Sequence, residues 1–297
     1  MTCEVSPILA SAPSERAIRS DASLERARGG VRIGFARRRD RNLGTQVADL
    51  AQKSPMRALF PDTEAGSEAT AVLVNTAGGV CGGDRLQTAV SLAEASAATV
   101  TSQAAERFYR AIDRDARVDV ALDVAGHAAL HWAPQETILF DASRMKRRIR
   151  ISLHSTARCL AAETLVFGRK AMGESVSTLD LRDDWQIWRE GRLVWTDAMR
   201  IVGSPPTMLI SPLGLAGNDA MTTLVAMADD LIPARDAIRE RMEQASVVGG
   251  ASIVNGILIA RMVGDARGLR ESLVELLKTL RPMLLGFPSD LPRVWSC

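Results

Sequence analysis

From Val31 to about Leu231 apolar side chains recur at every second residue, and this period limits what the chain can fold into. Val118, Val120, Leu122 and Val124 share one side of a run whose other side carries Asp119, Ala121 and Asp123. Ile149, Ile151 and Leu153 alternate in the same way with Arg148, Arg150 and Ser152, and Leu86, Val90 and Leu92 do so less cleanly. Side chains of an extended chain point alternately to opposite faces, so each run reads as a strand with one buried face. Ala125-Gly126 and Arg182-Asp183-Asp184 read as turns between strands. Gln186-Ile187-Trp188-Arg189 and Arg192-Leu193-Val194-Trp195 flank Glu190-Gly191, the pattern of a tight hairpin in which Gly191 takes a positive φ. Many short strands without helical patterns between them predict a mainly β, largely antiparallel body.

The last quarter changes period. Pro233 suits a first helical turn, and Ile238, Met242 and Ala245 follow at helical spacing. After the strand-like Ile253-Val254 and Ile257-Leu258-Ile259, a second helix is expected: Leu269, Leu273, Leu276, Leu277 and Leu280 form one apolar stripe, with Pro282 just beyond its expected end. Residues 1–28 lack a convincing period and read as a frayed lead-in, leaving 29–297 as one β-rich domain without a fixed repeat.

Composition narrows the function. A hydrophobic share of 46% supports a real core, while a formal charge of +2 over 297 residues gives no general field for nucleic acid or an anionic membrane. Aromatic residues, at 4%, are too few for base-stacking surfaces. Cys3, Cys81, Cys159 and Cys297 are widely spaced, unlike a disulfide framework. No apolar run approaches the roughly 20 residues that span a bilayer, and the start lacks a basic segment before a sustained apolar one. A cytoplasmic protein is expected.

The most unusual local stretch is Gly78-Gly79-Val80-Cys81-Gly82-Gly83-Asp84. A phosphate cradle would need a helix directly after it, whereas the following residues alternate like a strand, so a crowded bend is the competing reading. Asp84 reads either as a turn-capping side chain or as an acid aimed into a cavity. His127 and His131 match helical ligand spacing, but on a strand they would stand roughly 13 Å apart. No GxSxG or HExxH motif is present. The basic run Arg144–Arg150 fits either a solvated strand face or contact with an acidic partner, and Arg37–Arg41 a solvated turn. Trp132, Trp188 and Trp195 are expected in the core.

Taken in order, several of these segments resemble the urease accessory protein D family. They are Gly78–Leu86, Gln103–Arg110, Trp132–Asp141, Phe167-Gly168-Arg169 with Met172-Gly173-Glu174, Leu280-Arg281-Pro282 and Leu291–Trp295. Two departures stand out: Thr76-Ala77 replaces a common Pro-Pro, and Cys81 a common β-branched residue. The resemblance implies stacked antiparallel or helical β-sheets with two C-terminal helices. It also implies a non-catalytic scaffold in a hetero-oligomer with UreF and UreG on apo-urease, without nucleic acid or membrane. No cofactor would be tightly bound, and nickel would pass in transit along an internal acidic channel. Carried over by position, Asp84 closes the first glycine signature, Glu163 stands five before Gly168, Asp197 follows the hairpin and Glu106 takes a channel-side position. Glu163 and Asp197 could equally be plain partners of nearby arginines. An enzyme using the glycine loop for a phosphorylated ligand is the alternative.

Overall fold

The computed structural model describes residues 26–38, 44–61, 68–169, 173–204, 209–212, 214–245 and 247–296. Most of residues 1–28, Arg39–Arg41, Met172, Cys3 and Cys297 therefore lie outside the described residues. The strands are β1 (Arg28–Arg37), β2 (Thr45–Lys53), β3 (Met56–Leu59), β4 (Ala69–Asn75), β5 (Arg85–Leu92), β6 (Ala97–Ser102), β7 (Glu106–Phe108), β8 (Ala116–Val124) and β9 (Ala129–Ala133). They continue as β10 (Thr137–Leu139), β11 (Arg144–Leu153), β12 (Arg158–Phe167), β13 (Leu179–Arg189), β14 (Arg192–Gly203) and β15 (Ala220–Met227). Helix α1 (Ile232–Gln244), β16 (Val248–Val254), β17 (Ile257–Gly264) and helix α2 (Ala266–Leu280) complete the order.

Two sheets stack face to face. The first runs β14-β13-β11-β8-β5-β1-β2 and the second β16-β17-β15-β12-β9-β6-β4-β3. From β4 to β13 the chain crosses between them at every turn, so strands that neighbour one another within a sheet belong to successive turns. Each turn brings the chain back in the same direction, and the pairs β5–β8, β8–β11, β11–β13, β4–β6, β6–β9 and β9–β12 are therefore parallel. The short β7 and β10 pair alongside, β10 also joining β12. Antiparallel hairpins close the ends of the sheets.

The expected mainly β body with stacked sheets and two late helices is thus the fold of this chain, with mixed pairing and a helically wound centre. Two-residue alternation is common to both strand directions, so it could not separate them. The winding also advances by about thirty residues per turn, a loose repeat whose turns share no motif.

Burial follows this architecture. In the first sheet the alternating runs hold: Val120, Leu122 and Val124 face inward, as do Ile149 and Ile151, while the intervening residues face outward. The central strands of the second sheet are buried on both faces, because α1 and α2 cover its outer side; all eight residues of β15 are buried. Leu269, Leu273, Leu276, Leu277 and Leu280 of α2 are buried there, each contributing roughly 1.5–3 kcal/mol. Asp265 caps α2 by accepting from the Gly268 N–H at 2.9 Å. Past Leu280 the chain widens into a π turn, Arg281–Leu285, which Gly286 ends with a φ of 71°.

Several local expectations need correction. Arg182-Asp183-Asp184 lies within β13 and forms no turn. The strand-like Ile253-Val254 and Ile257-Leu258-Ile259 do form strand, as the facing ends of β16 and β17 in a hairpin turned by Asn255-Gly256 with φ of 51° and 71°. The Glu190-Gly191 hairpin forms as expected, with φ of 49° and 71°. Trp132 is buried, but Trp188 and Trp195 are only half-buried; Trp185 and Trp295 are the other core tryptophans.

Candidate functional site

The glycine stretch after β4 is a tight bend pressed against the loop that follows β7. A Cβ on Gly79 would stand 2.4 Å from the Tyr109 ring, and one on Gly82 would stand 2.6 Å from Ala111 Cβ. The N–H groups of Gly78, Val80, Cys81, Gly83 and Asp84 are all donated within the protein. A strand, β5, follows, so the loop lacks the helix start of a phosphate cradle and turns most of its N–H groups inward. Asp84 is buried beneath it. Its Oδ1 accepts from the Ala27 N–H at 2.8 Å and its Oδ2 from the Cys81 N–H at 2.7 Å. This is the turn-capping role, extended to hold the chain just before β1.

The rim formed by Gly78 and Gly79 borders a half-enclosed cavity of about 270 Å³. Glu106 and Glu163 both line it, together with Arg147, Trp132 and Thr137. Glu106, at the start of β7, is half-buried and accepts from Asn75 Nδ2 at 3.1 Å through each oxygen. Burial raises its carboxyl above the usual range, against the pull of the Asn75 hydrogen bond.

Glu163 lies deeper, at 5% exposure, facing inward from β12. It accepts from Trp132 Nε1 at 2.9 Å and from Arg147, which faces it from β11 of the other sheet. Arg147 also forks onto Asp183, its register partner on β13, at 2.7 and 2.8 Å. Burial pushes the Glu163 carboxyl up and Arg147 pulls it back, while Asp183 adds to the push. For Arg147 burial opposes the charge, but Asp183 and Glu163 outweigh it and hold the guanidinium above its ordinary value. Two carboxyl groups therefore share one guanidinium.

The cluster continues sideways. Glu163 is in register with Thr223 on β15, and Thr223 with Arg261 on β17. Arg261 bonds Asp197 of β14, on the first sheet, and approaches Thr223 Oγ1 at 3.4 Å. A polar seam therefore runs between the sheets from the cavity to Asp197, which is 28% exposed. Glu106, Glu163 and Asp197 lie along this line; Asp84 lies beside it, under the rim.

Sequence reasoning missed Arg147, Asp183, Thr223 and Arg261. For Arg147 the signal was there: it stands two before Ile149 and shares its inward parity, while Lys146, Arg148 and Arg150 face out. Thr223 and Arg261 carried no comparable signal, because only pairing across strands joins them to Glu163.

The histidines do not converge. His127 sits in a turn with a φ of 57°, and His131 is buried in β9. His131 Nδ1 lies 2.6 Å from Arg281 Nη1, and Arg281 also bonds Glu68 at 2.5 Å and Thr99 Oγ1 at 3.1 Å. No group of three or more His, Cys, Asp or Glu side chains gathers around a possible metal position among the described residues. Cys81 is half-buried, and burial pushes the Cys159 thiol up to about 12. At the other end Gln135 Nε2 donates to the Val294 carbonyl at 3.1 Å. Arg270 bonds Glu136 at 2.6 Å and stacks on Trp295 at 5.0 Å. The Trp132–Asp141 and Leu291–Trp295 segments thus dock on each other.

These features define a class: a wound β framework, closed by two helices, with a buried ionic cluster opening on a cavity. The family model described as UreD urease accessory protein matches residues 27–296, and the chain belongs to that family. The urease accessory protein UreD of Azorhizobium caulinodans is 40% identical over 273 residues, covering 92% of this chain and 97% of that protein. That of Granulibacter bethesdensis is 38% identical over 237 residues, covering 80% of this chain and 99% of that protein. That of Magnetococcus marinus is 38% identical over 274 residues, covering 90% and 93%. No helix among the described residues is long and apolar enough to cross a membrane.

Proposed function

We propose that this protein is a non-catalytic cytoplasmic scaffold for urease maturation, acting with UreF and UreG on apo-urease and passing nickel along its internal polar seam. The observation that carries the reading is the line of acids: Glu106 on the cavity, Glu163 at its depth, Asp197 at the far edge. Nickel here is cargo. A divalent ion held by several imidazoles or thiolates leaves slowly, whereas separated carboxylates attract it and release it. The two carboxyl groups around Arg147 offer a cation oxygens at the depth of the cavity. The arginines beside Glu163 and Asp197 compete for the same oxygens and so keep the ion from being trapped. Asp84 acts from outside the line by holding the glycine rim in place.

The test is co-expression of Glu106→Gln/Glu163→Gln/Asp197→Asn with urease and its accessory proteins. The complex is expected to be recovered intact by pull-down, while nickel per urease active site falls at least severalfold. Full nickel loading through the triple variant would overturn the path; failure to recover the complex with the unmodified chain would overturn the scaffold.

A further inference from the structure

On the outer face of the first sheet one register row consists entirely of cations. Arg28 pairs with Arg85, Arg85 with Arg117, Arg117 with Lys146, Lys146 with Arg182 and Arg182 with Arg200. All six are exposed, on six adjacent strands from β1 to β14. Lys146 has Asp115 at 2.5 Å and Arg182 has Asp184 at 2.7 Å. Arg28, Arg85, Arg117 and Arg200 have no acidic partner among the described residues. Like charges directly opposite each other across strands destabilise a sheet, so the row works against the isolated fold.

We propose that this row is a docking surface for an acidic α-helix of a protein partner, laid across the strands with one carboxylate per turn facing the sheet. The spacing selects the helix. Neighbouring strands stand about 4.8 Å apart, so the six cations span about 24 Å. A helix presents one face every 5.4 Å or so and covers that span in about 16 residues. An extended peptide repeats its face only about every 6.7 Å and drifts out of register within three strands. No aromatic side chain stands in the row to stack a base, which argues against a single-stranded nucleic acid. The face is also concave beside the row, with a trough of about 720 Å³ bordered by Arg28, Arg85, Arg148 and Arg150 and by one acid, Asp119. The surface lies on the opposite side of the first sheet from the polar seam and does not depend on the nickel reading.

The test uses the full chain and a synthetic helical peptide of about 18 residues with one Glu per turn on a single face. Its comparisons are a shuffled peptide of equal composition and charge, and an oligothymidylate of equal length. At physiological ionic strength, fluorescence anisotropy is expected to show the one-face peptide binding about tenfold tighter than either. Arg85→Glu/Arg117→Glu/Arg200→Glu removes that binding and instead takes a peptide with Lys on the same face, while Arg267→Glu on α2 changes nothing. Equal binding of the shuffled peptide or the oligonucleotide overturns the helix assignment. So does retained Glu-peptide binding by the triple variant, its failure to take the Lys-face peptide, or no binding to the unmodified chain.

Discussion

Arg147 and Glu163 meet across the interior, one reaching in from β11 of the first sheet and the other from β12 of the second, and both are almost wholly buried. Their contact ties the two layers together by charge at the floor of the cavity. Removing one partner of a buried ion pair strands the other without water. Arg147→Met faces Glu163 with Asp183 and is expected to cost about 3–5 kcal/mol. Glu163→Gln leaves the Arg147–Asp183 fork intact and costs less. Urea unfolding of the two variants checks the order.

Glu106 carries a different penalty. Its carboxyl is raised by burial, so the folded chain holds a proton more tightly there than the unfolded chain does. That contribution is present below the ordinary carboxylate pKa of about 4.3 and is lost as pH rises through the folded value. Glu106→Gln keeps an oxygen for Asn75 but cannot ionise. It is therefore expected to be more stable than the parent at neutral pH, with the gain vanishing towards pH 4. Melting temperatures across pH 4–8 measure this, and an unchanged gap at every pH would count against it.

His131 acts with the opposite sign. Burial and then the Arg281 charge hold its pKa well below the ordinary value. Arg281 can only donate, so His131 Nδ1 accepts and the proton sits on Nε2, which has no partner. The unfolded chain takes up a proton below about pH 6.5 and the folded chain does not, so stability falls as pH drops through that value. His131→Gln, which does not titrate, should flatten the slope between pH 7 and 5 in denaturant titrations.

Gly79 has a φ of 148°, and a Cβ there meets both the Tyr109 ring and, at 2.8 Å, the Arg107 carbonyl. Gly79→Ala must push back the loop after β7 that carries the cavity wall. A loss of about 1–3 kcal/mol is expected, together with nickel delivery lowered through the displaced rim. Tyr109→Ala removes the ring but not the backbone carbonyl, so it should recover only part of the stability in the double variant.

How much could be read beforehand depended on which sheet a strand joined. Strands of the first sheet face water on one side, and their alternation at Val118–Val124 and Ile149–Leu153 was plain. The central strands of the second sheet lie between the core and two helices, so β12 and β15 are buried on both faces, mostly apolar, and lose the two-residue signal. Asp183, on β13 of the first sheet, hides for a different reason: a charged residue facing a buried guanidinium looks like punctuation until its partner is known.

From its sequence alone the chain determined that it would be strand-rich, where its hairpin at Glu190-Gly191 would turn, and that a leucine-striped helix would close it. It also carried the order of family motifs. These properties are local, set by backbone sterics and by the period of apolar residues over a few positions. Only the tertiary structure decided that the centre winds in parallel turns, that Glu163, Thr223 and Arg261 share a register row on the way to Asp197, and that six separate cations form one row. Such relations join residues tens of positions apart, and they come into being only when strands pair in register.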